Sequence, residues 1–310
     1  MIPDLRVELC GVRLANPLVL ASGILGTEAA LMERVARCGA GAVTAKSCGP
    51  EPRPGHRNPT VLHWGPGLIN AVGLANPGID EAIPLLQETA ARLKPFGVPL
   101  ITSIFARSAD EFGYMAARVA EAGPDLIEIN LSCPNVAAEM GRAFALDAEA
   151  TAAATRAAVN ATDVPILVKL SANVTDLLSI AQAAVEAGGR GLTLINSLGP
   201  GMVIDIESGA PILSNRVGGV SGPAIRPIAV RCVYDITRAL NVPVIGVGGV
   251  MDGRDAIEMV MAGATAVGVG SAVYWRGPEV FGHILREMTD FMSARQYQSP
   301  DEIRGIAHDR

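Results

Sequence analysis

The chain has 310 residues, 49% of them hydrophobic but only 4% aromatic, and a formal charge of −6. An acidic balance without a basic block speaks against nucleic acid as a partner. No apolar run approaches the ~20 residues of a membrane span, and Met1-Ile2-Pro3-Asp4 lacks the basic-then-apolar pattern of a signal peptide, so a soluble, cytoplasmic protein is expected.

Short apolar, β-branched runs recur from end to end, most of them followed by an Ala-rich amphipathic segment. Strands are expected at 18–22, 42–47, 100–105, 126–132, 166–171, 192–197, 244–248 and 266–270. Helices are expected at 28–38, 79–93, 109–122, 147–160, 176–187, 224–240, 253–261 and 278–293. Eight such alternations without a polar linker predict a (β/α)8 TIM barrel spanning residues 1–310 as one domain, with an open doubly wound sheet as the alternative. Gly39, Gly123, Gly188 and Gly263 each follow a helix and read as C-caps. Extra residues follow strands 2, 4 and 6 (48–77, 134–145 and 198–222). In a barrel these loops share the C-terminal face, where active sites sit.

Candidate chemistry gathers at the strand ends. Along 126–132, Ile127, Ile129 and Leu131 alternate with Glu128, Asn130 and Ser132, so one face is aliphatic and the other polar. Pro134 closes the strand, leaving Cys133 just past its tip between Asn130 and Asn135. Most free cysteines are core residues, but this placement suits a thiol presented beside amides that read a polar heterocycle. Lys46, Ser47, Lys169, Asn196, Ser197 and Ser22 end other strands. Two lysines among several asparagines form a cationic, amide-rich rim, suited to a planar ligand with carbonyl and N–H groups and an anionic substituent.

Gly248-Gly249 after strand 7 and Gly270-Ser271 after strand 8 stand where barrel enzymes usually bind phosphate. Glycine lets backbone N–H groups approach the anion, and the following helix start would add its positive dipole end. The run Gly218-Gly219-Val-Ser221-Gly222-Pro223 reads as a lid base, a second ligand-approach loop or a linker. Asn70-Ala-Val-Gly73-Leu74-Ala-Asn76-Pro77-Gly78 exposes backbone N–H groups, although its Asn-Pro-Gly end is also an ordinary turn into a helix. His56 and His63 have no patterned partner. Five scattered cysteines without a CxxC pair argue against a disulfide framework and against a zinc or iron–sulfur site in this chain.

In order and spacing these segments resemble the class 1 dihydroorotate dehydrogenases, flavin enzymes of pyrimidine biosynthesis, from about Leu5 to Ser293. Cysteine rather than serine at position 133 matches the soluble class 1 enzymes. Asn76-Pro77-Gly78 and residues 201–212 look like the NAD-linked type B catalytic subunit, and residues 136–142 lack the Pro-Gly-Lys pattern of fumarate-linked relatives. Ser103 departs from the asparagine that many relatives carry near the flavin.

The resemblance implies oxidation of dihydroorotate to orotate, with Cys133 as the base on C5 and Lys46 between substrate and flavin. It implies that Asn70, Asn130, Asn135, Asn196 and Ser197, with the backbone of Gly73 and Leu74, hold the substrate. FMN would meet Ser22, Lys46, Ser47, Ser103, Asn130, Lys169, Ile195, Gly219 and Ser221, with its phosphate on Gly248, Gly249, Gly270 and Ser271. No metal site is expected. It also implies a second subunit carrying FAD and a two-iron two-sulfur (2Fe-2S) cluster, around a homodimer core of a heterotetramer. The alternatives are a fumarate-linked class 1 enzyme, a dihydropyrimidine dehydrogenase-like enzyme, and a non-catalytic flavin-binding scaffold.

Overall fold

The computed structural model describes residues 2–131 and 144–309. Eight parallel strands close into a barrel: β1 (Leu18–Leu20), β2 (Ala42–Thr44), β3 (Leu100–Ile104), β4 (Leu126–Asn130), β5 (Ile166–Lys169), β6 (Gly191–Leu194), β7 (Val244–Val247) and β8 (Ala266–Val269). Neighbours in sequence pair, and β8 meets β1 with Val267 opposite Leu18 to complete the ring. The open-sheet alternative is thereby set aside.

One helix follows each strand: α1 (Ala29–Arg37), α2 (Ile79–Leu93), α3 (Ala109–Ala120), α4 (Ala148–Asn160), α5 (Leu177–Glu186), α6 (Arg226–Ala239), α7 (Gly253–Met261) and α8 (Val280–Ala294). A short helix, Ala272–Arg276, precedes α8. Several starts carry a side-chain cap: Ser108 accepts from the Glu111 N–H, Asp147 from Ala150 and Asp176 from Ser179. The four expected C-cap glycines all adopt positive φ, from +67° at Gly123 to +115° at Gly263, which a β-carbon would disfavour.

The barrel interior has two storeys. The lower one is apolar: Val19, Ala42, Ile101, Leu126, Leu167, Ile245 and Ala266 pack together. The hairpin of Val7–Leu9 and Val12–Leu14, not foreseen from sequence, closes it from below with Val7, Leu9 and Leu14. The upper storey is polar, because the next inward positions include Ser103, Glu128, Asn130 and Lys169. The expected alternation of β4 holds: Ile127 and Ile129 belong to the same apolar cluster as Phe112 and Met115 of α3, while Glu128 faces inward.

The insertions after β2 and β6 form a four-stranded antiparallel sheet, ordered Leu198–Gly201, Gly218–Ser221, Leu68–Asn70, Val61–His63. Gly219 pairs with Asn70, Val220 with Ile69 and Ser221 with Leu68. Residues 218–221 are therefore a roof strand rather than a lid base or linker. The insertion expected after β4 lies mostly outside the described residues, and so do Cys133 and Asn135. Among the described residues no helix is long and apolar enough to cross a membrane.

Candidate active site

The strand tips and the roof enclose one cavity, with about 240 Å³ open to the centres of water molecules. Its wall includes Ser22, Lys46, Ser47, Asn70, Gly73, Leu74, Asn130, Lys169, Ile195, Asn196, Ser197, Ser221, Gly248, Gly249, Gly270 and Ser271. Sixteen of the twenty residues proposed from sequence thus face one space. Several lie just beyond the last ladder residue, where the chain leaves the barrel wall and turns over its mouth. That explains why the hydrogen-bonded strands end earlier than the apolar runs suggested.

Two proposed residues do not line the cavity. Ser103 is buried behind Ser47, its Oγ 2.8 Å from the Ser47 hydroxyl. Gly219 sits in the roof, where its carbonyl accepts from the Asn70 amide at 3.4 Å. Each supports a wall residue instead of forming the wall. The apolar lining, with Ile24, Val61, Leu68, Val72, Ile225, Val247 and Val250, was not singled out from sequence. These side chains look like ordinary core residues in a one-dimensional pattern, and only barrel closure gathers them.

Asn76 carries the turn reading rather than a binding role. Its Oδ1 accepts from Gly49 and Gly78 N–H groups at 3.1 and 2.9 Å, and its Nδ2 donates to the Leu74 carbonyl at 2.8 Å. This staple holds the wall segment in which Gly73 and Leu74 both adopt positive φ, +77° and +55°. Leu74 pays the usual cost of a side chain in that region, a feature that clusters at ligand sites. His56 supports the same loop through the Ala71 carbonyl (3.0 Å), and His63 packs on Trp275 with ring centroids 5.5 Å apart.

Lys169 and Glu128 form an ion pair across β5 and β4, with 3.5 Å between Nζ and Oε1, and both side chains are almost fully buried. A buried pair of this kind needs further hydrogen bonds to offset its desolvation. Glu128 receives one from Ser103 at 3.3 Å. Its alternation was legible in the sequence, but its partner was not.

The glycine end of the cavity departs from expectation in one respect. The first N–H groups of α7 do not face a ligand: Asp252 accepts from Arg254 and Asp255, and Glu287 accepts from Gly253. A phosphate here would be met by the loop backbone, where Gly248 and Gly249 adopt φ of +143° and +72°. That loop is pinned, since Asp255 accepts the Met251 N–H at 2.9 Å and Arg276 donates to the Met251 carbonyl at 2.6 Å. At Gly270 an added β-carbon would meet only Ala21 Cβ, at 3.4 Å, so open space continues past the backbone. Donors, a cation and apolar walls fit a flat, polar, phosphate-bearing cofactor. No cluster able to hold a metal ion occurs among the described residues.

A lysine- and asparagine-lined cavity at the strand C-termini, with glycine turns after β7 and β8, stands where barrel enzymes carry their active sites. The chain belongs to the dihydroorotate dehydrogenase family, whose model matches residues 4–292, and is accordingly an oxidoreductase. It is 49% identical over 308 residues to the catalytic subunit of dihydroorotate dehydrogenase B (NAD(+)) of Methanothermobacter thermautotrophicus, covering 98% of this chain and 99% of that one. The protein of the same name from Methanocaldococcus jannaschii is 42% identical, with 98% of each chain covered. That from Pyrococcus abyssi is also 42% identical, covering 98% and 99%.

The four described cysteines are poor nucleophiles. Burial pushes the Cys10 and Cys48 thiols up to about 12, and raises those of Cys38 and Cys232 as well. Thiolate at Cys10 and Cys48 would form only as pH approaches that value, so both should stay unreactive at neutral and mildly alkaline pH. Iodoacetamide treatment of the folded protein at pH 8 should leave these two unmodified by peptide mass spectrometry, whereas unfolding in urea should expose them. Rapid native labelling of either would contradict a raised thiol pKa there, and at Cys48 its burial as well.

Proposed function

We propose that the chain oxidises dihydroorotate to orotate in pyrimidine biosynthesis, using FMN and passing electrons to NAD through a second subunit. The observation that carries this reading is the cavity itself, in which lysines, asparagines and a glycine loop converge on the barrel's C-terminal face. When bound, FMN supplies a hydride acceptor. Lys169, in the cavity wall, would stabilise negative charge on the bound flavin. Asn70, Asn130, Asn196 and Ser197, with Asn135, would hold the amide edges of the substrate, and Lys46 would contact both ligands. Cys133 takes the C5 proton as general base. The apolar wall and the roof exclude water from the reacting face.

Gly248, Gly249, Gly270 and Ser271 would hold the phosphate. Gly249 is a poor position to test, because a β-carbon there would lie 2.7 Å from Arg226 Cβ and from the Gly222 carbonyl. Gly270→Asp has the needed room and sets a carboxylate against the anion. It should purify folded, with an unchanged melting temperature for the flavin-free form, yet bind FMN at least tenfold more weakly. Full flavin content in that variant would move the phosphate elsewhere.

Cys133→Ala should keep its FMN but bleach extremely slowly when mixed anaerobically with dihydroorotate. Cys133→Ser should recover only at raised pH, since a hydroxyl is a much weaker acid than a thiol. A wild-type bleaching rate at pH 7 in the alanine variant would remove Cys133 as base.

The partner follows from electron transfer. The sequence has neither a cysteine set for an iron–sulfur cluster nor a second Gly-rich strand–turn–helix for another nucleotide. The relatives named above are called catalytic subunits, which supports a division of labour with a partner subunit. In this reading the partner carries FAD and a 2Fe-2S cluster around a homodimeric core, in the cytoplasm. The chain alone, with FMN as its only cofactor, should reduce dyes or oxygen with dihydroorotate but make no NADH. Rapid NADH formation by the chain alone would end the two-subunit reading, and rapid fumarate reduction would reassign it to the self-contained type.

A further inference from the structure

From the cavity wall a chain of polar groups runs inward to two residues, Ser103 and Glu128, that do not line the cavity. Ser103 Oγ lies 3.3 Å from Glu128 Oε1 and 2.8 Å from Ser47 Oγ. Asn130 Nδ2 lies 3.4 Å from Ser47 Oγ, and Asn196 Nδ2 lies 3.4 Å from Asn130 Oδ1. Glu128 anchors the far end, beside the Lys169 ammonium. Ser47, Asn130 and Asn196 line the cavity, whereas Ser103 and Glu128 do not.

We propose that Glu128 is a positioning residue: through Ser103 and Ser47 it fixes which way the amides of Asn130 and Asn196 face, and hence which substrate edges they can read. The proposal rests on the reading above that these amides hold dihydroorotate.

The physical reason is proton counting along the chain. Facing an ammonium, Glu128 is a carboxylate, and a carboxylate only accepts. Ser103 must therefore donate its single hydroxyl proton to Glu128. Its remaining lone pairs accept from Ser47; Ser22 Oγ, 3.4 Å from Ser47 Oγ, donates to the Ala45 carbonyl and can only accept from Ser47, so the Ser47 proton is committed either way. Ser47 can then only accept from Asn130, so Asn130 must turn its N–H₂ toward Ser47 and its carbonyl oxygen toward Asn196. Asn196 consequently donates its N–H to Asn130, and its Oδ1 accepts from the Ser197 N–H at 2.8 Å. Nothing in the shape of an asparagine selects one of its two amide orientations, because oxygen and nitrogen are nearly the same size. Here the Glu128 charge at one end and the Ser197 N–H at the other select the same orientation for both residues. The steps from Glu128 to Ser103 and Ser47 are buried, where a misdirected hydrogen bond is costly.

Glu128→Gln keeps the shape but offers a donor as well as an acceptor, so both directions of the chain become accessible. Ser103→Ala keeps Glu128 and its ion pair but cuts the link to Ser47, and it removes no buried charge. Full-length, FMN-loaded chain is assayed with dihydroorotate and a dye acceptor, alongside FMN content and melting temperature. Ser103→Ala should raise KM about tenfold with kcat within twofold, as expected when a contact common to ground and transition states weakens. Glu128→Gln should raise KM by a similar factor. The double variant should be no worse than the poorer single one, because both changes break the same chain.

An unchanged KM in Ser103→Ala overturns the proposal, including in the case where Glu128→Gln fails to fold. So does a roughly hundredfold effect in the double variant, which would mean two independent roles. A drop in melting temperature or FMN content with normal KM would show a purely structural role and equally sink it. Asn196→Ala separates the two levels of inference. A normal KM there takes the substrate away from these amides altogether, whereas a raised KM beside normal Ser103→Ala refutes only the relay.

Discussion

Strands of a closed parallel barrel all end on one rim, and here that rim is roofed by backbone pairing between two distant loops. Gly218–Ser221 runs antiparallel to Leu68–Asn70, and the Asn70 side chain adds a bond to Gly219 across 149 residues of sequence. Without this pairing Asn70, Gly73 and Ser221 would belong to two unconnected surface loops. With it, they face the strand tips across one cavity that also carries apolar side chains. The Asn76 staple and the pinned loop at Met251 hold two more sides of the same enclosure.

The barrel below is divided in a way that serves the site. Its lower storey is filled by aliphatic side chains and closed by the N-terminal hairpin, which lets that part pack at ordinary core density. The polar storey above it would be unfavourable in isolation, since a lysine and a glutamate lie almost wholly out of water. They are retained beside hydroxyls that supply partners, so the electrostatic cost falls where the chemistry is rather than through the core.

Much of this was readable from the chain. All eight barrel strands and the helix after each were marked by hydrophobic period and by glycine punctuation, because those signals are local. Polar residues at strand ends pointed to the cavity for the same reason: in a barrel, position along a strand fixes the face on which its end emerges. The roof escaped notice because strands of three or four residues carry no period, and their register is decided only once the barrel has closed. Ser103 was placed at the flavin from resemblance, but inward alternation at β3 sets it behind Ser47. The dipole of α7 was expected to face an anion, and Asp252 and Glu287 occupy that end instead. Asp252 was not singled out, and Glu287 arrives from α8 and leaves no trace near residue 253.

The distance in sequence between the two roof strands also orders events in time. During synthesis from the N-terminus, Leu68–Asn70 leaves the ribosome long before Gly218–Ser221, and pairs first only with the neighbouring Val61–His63. Its other edge stays open until four further barrel strands, β3 to β6, and the helices α2 to α5 have been made. That open edge is short, which limits its use as a template for another chain. Because contacts this far apart form late, after the entropy of closing the intervening chain has been overcome, a half-made barrel lacks both the roofed cavity and the floor positions Ile245 and Ala266. Ligand capture is thereby reserved for a chain that has almost finished folding.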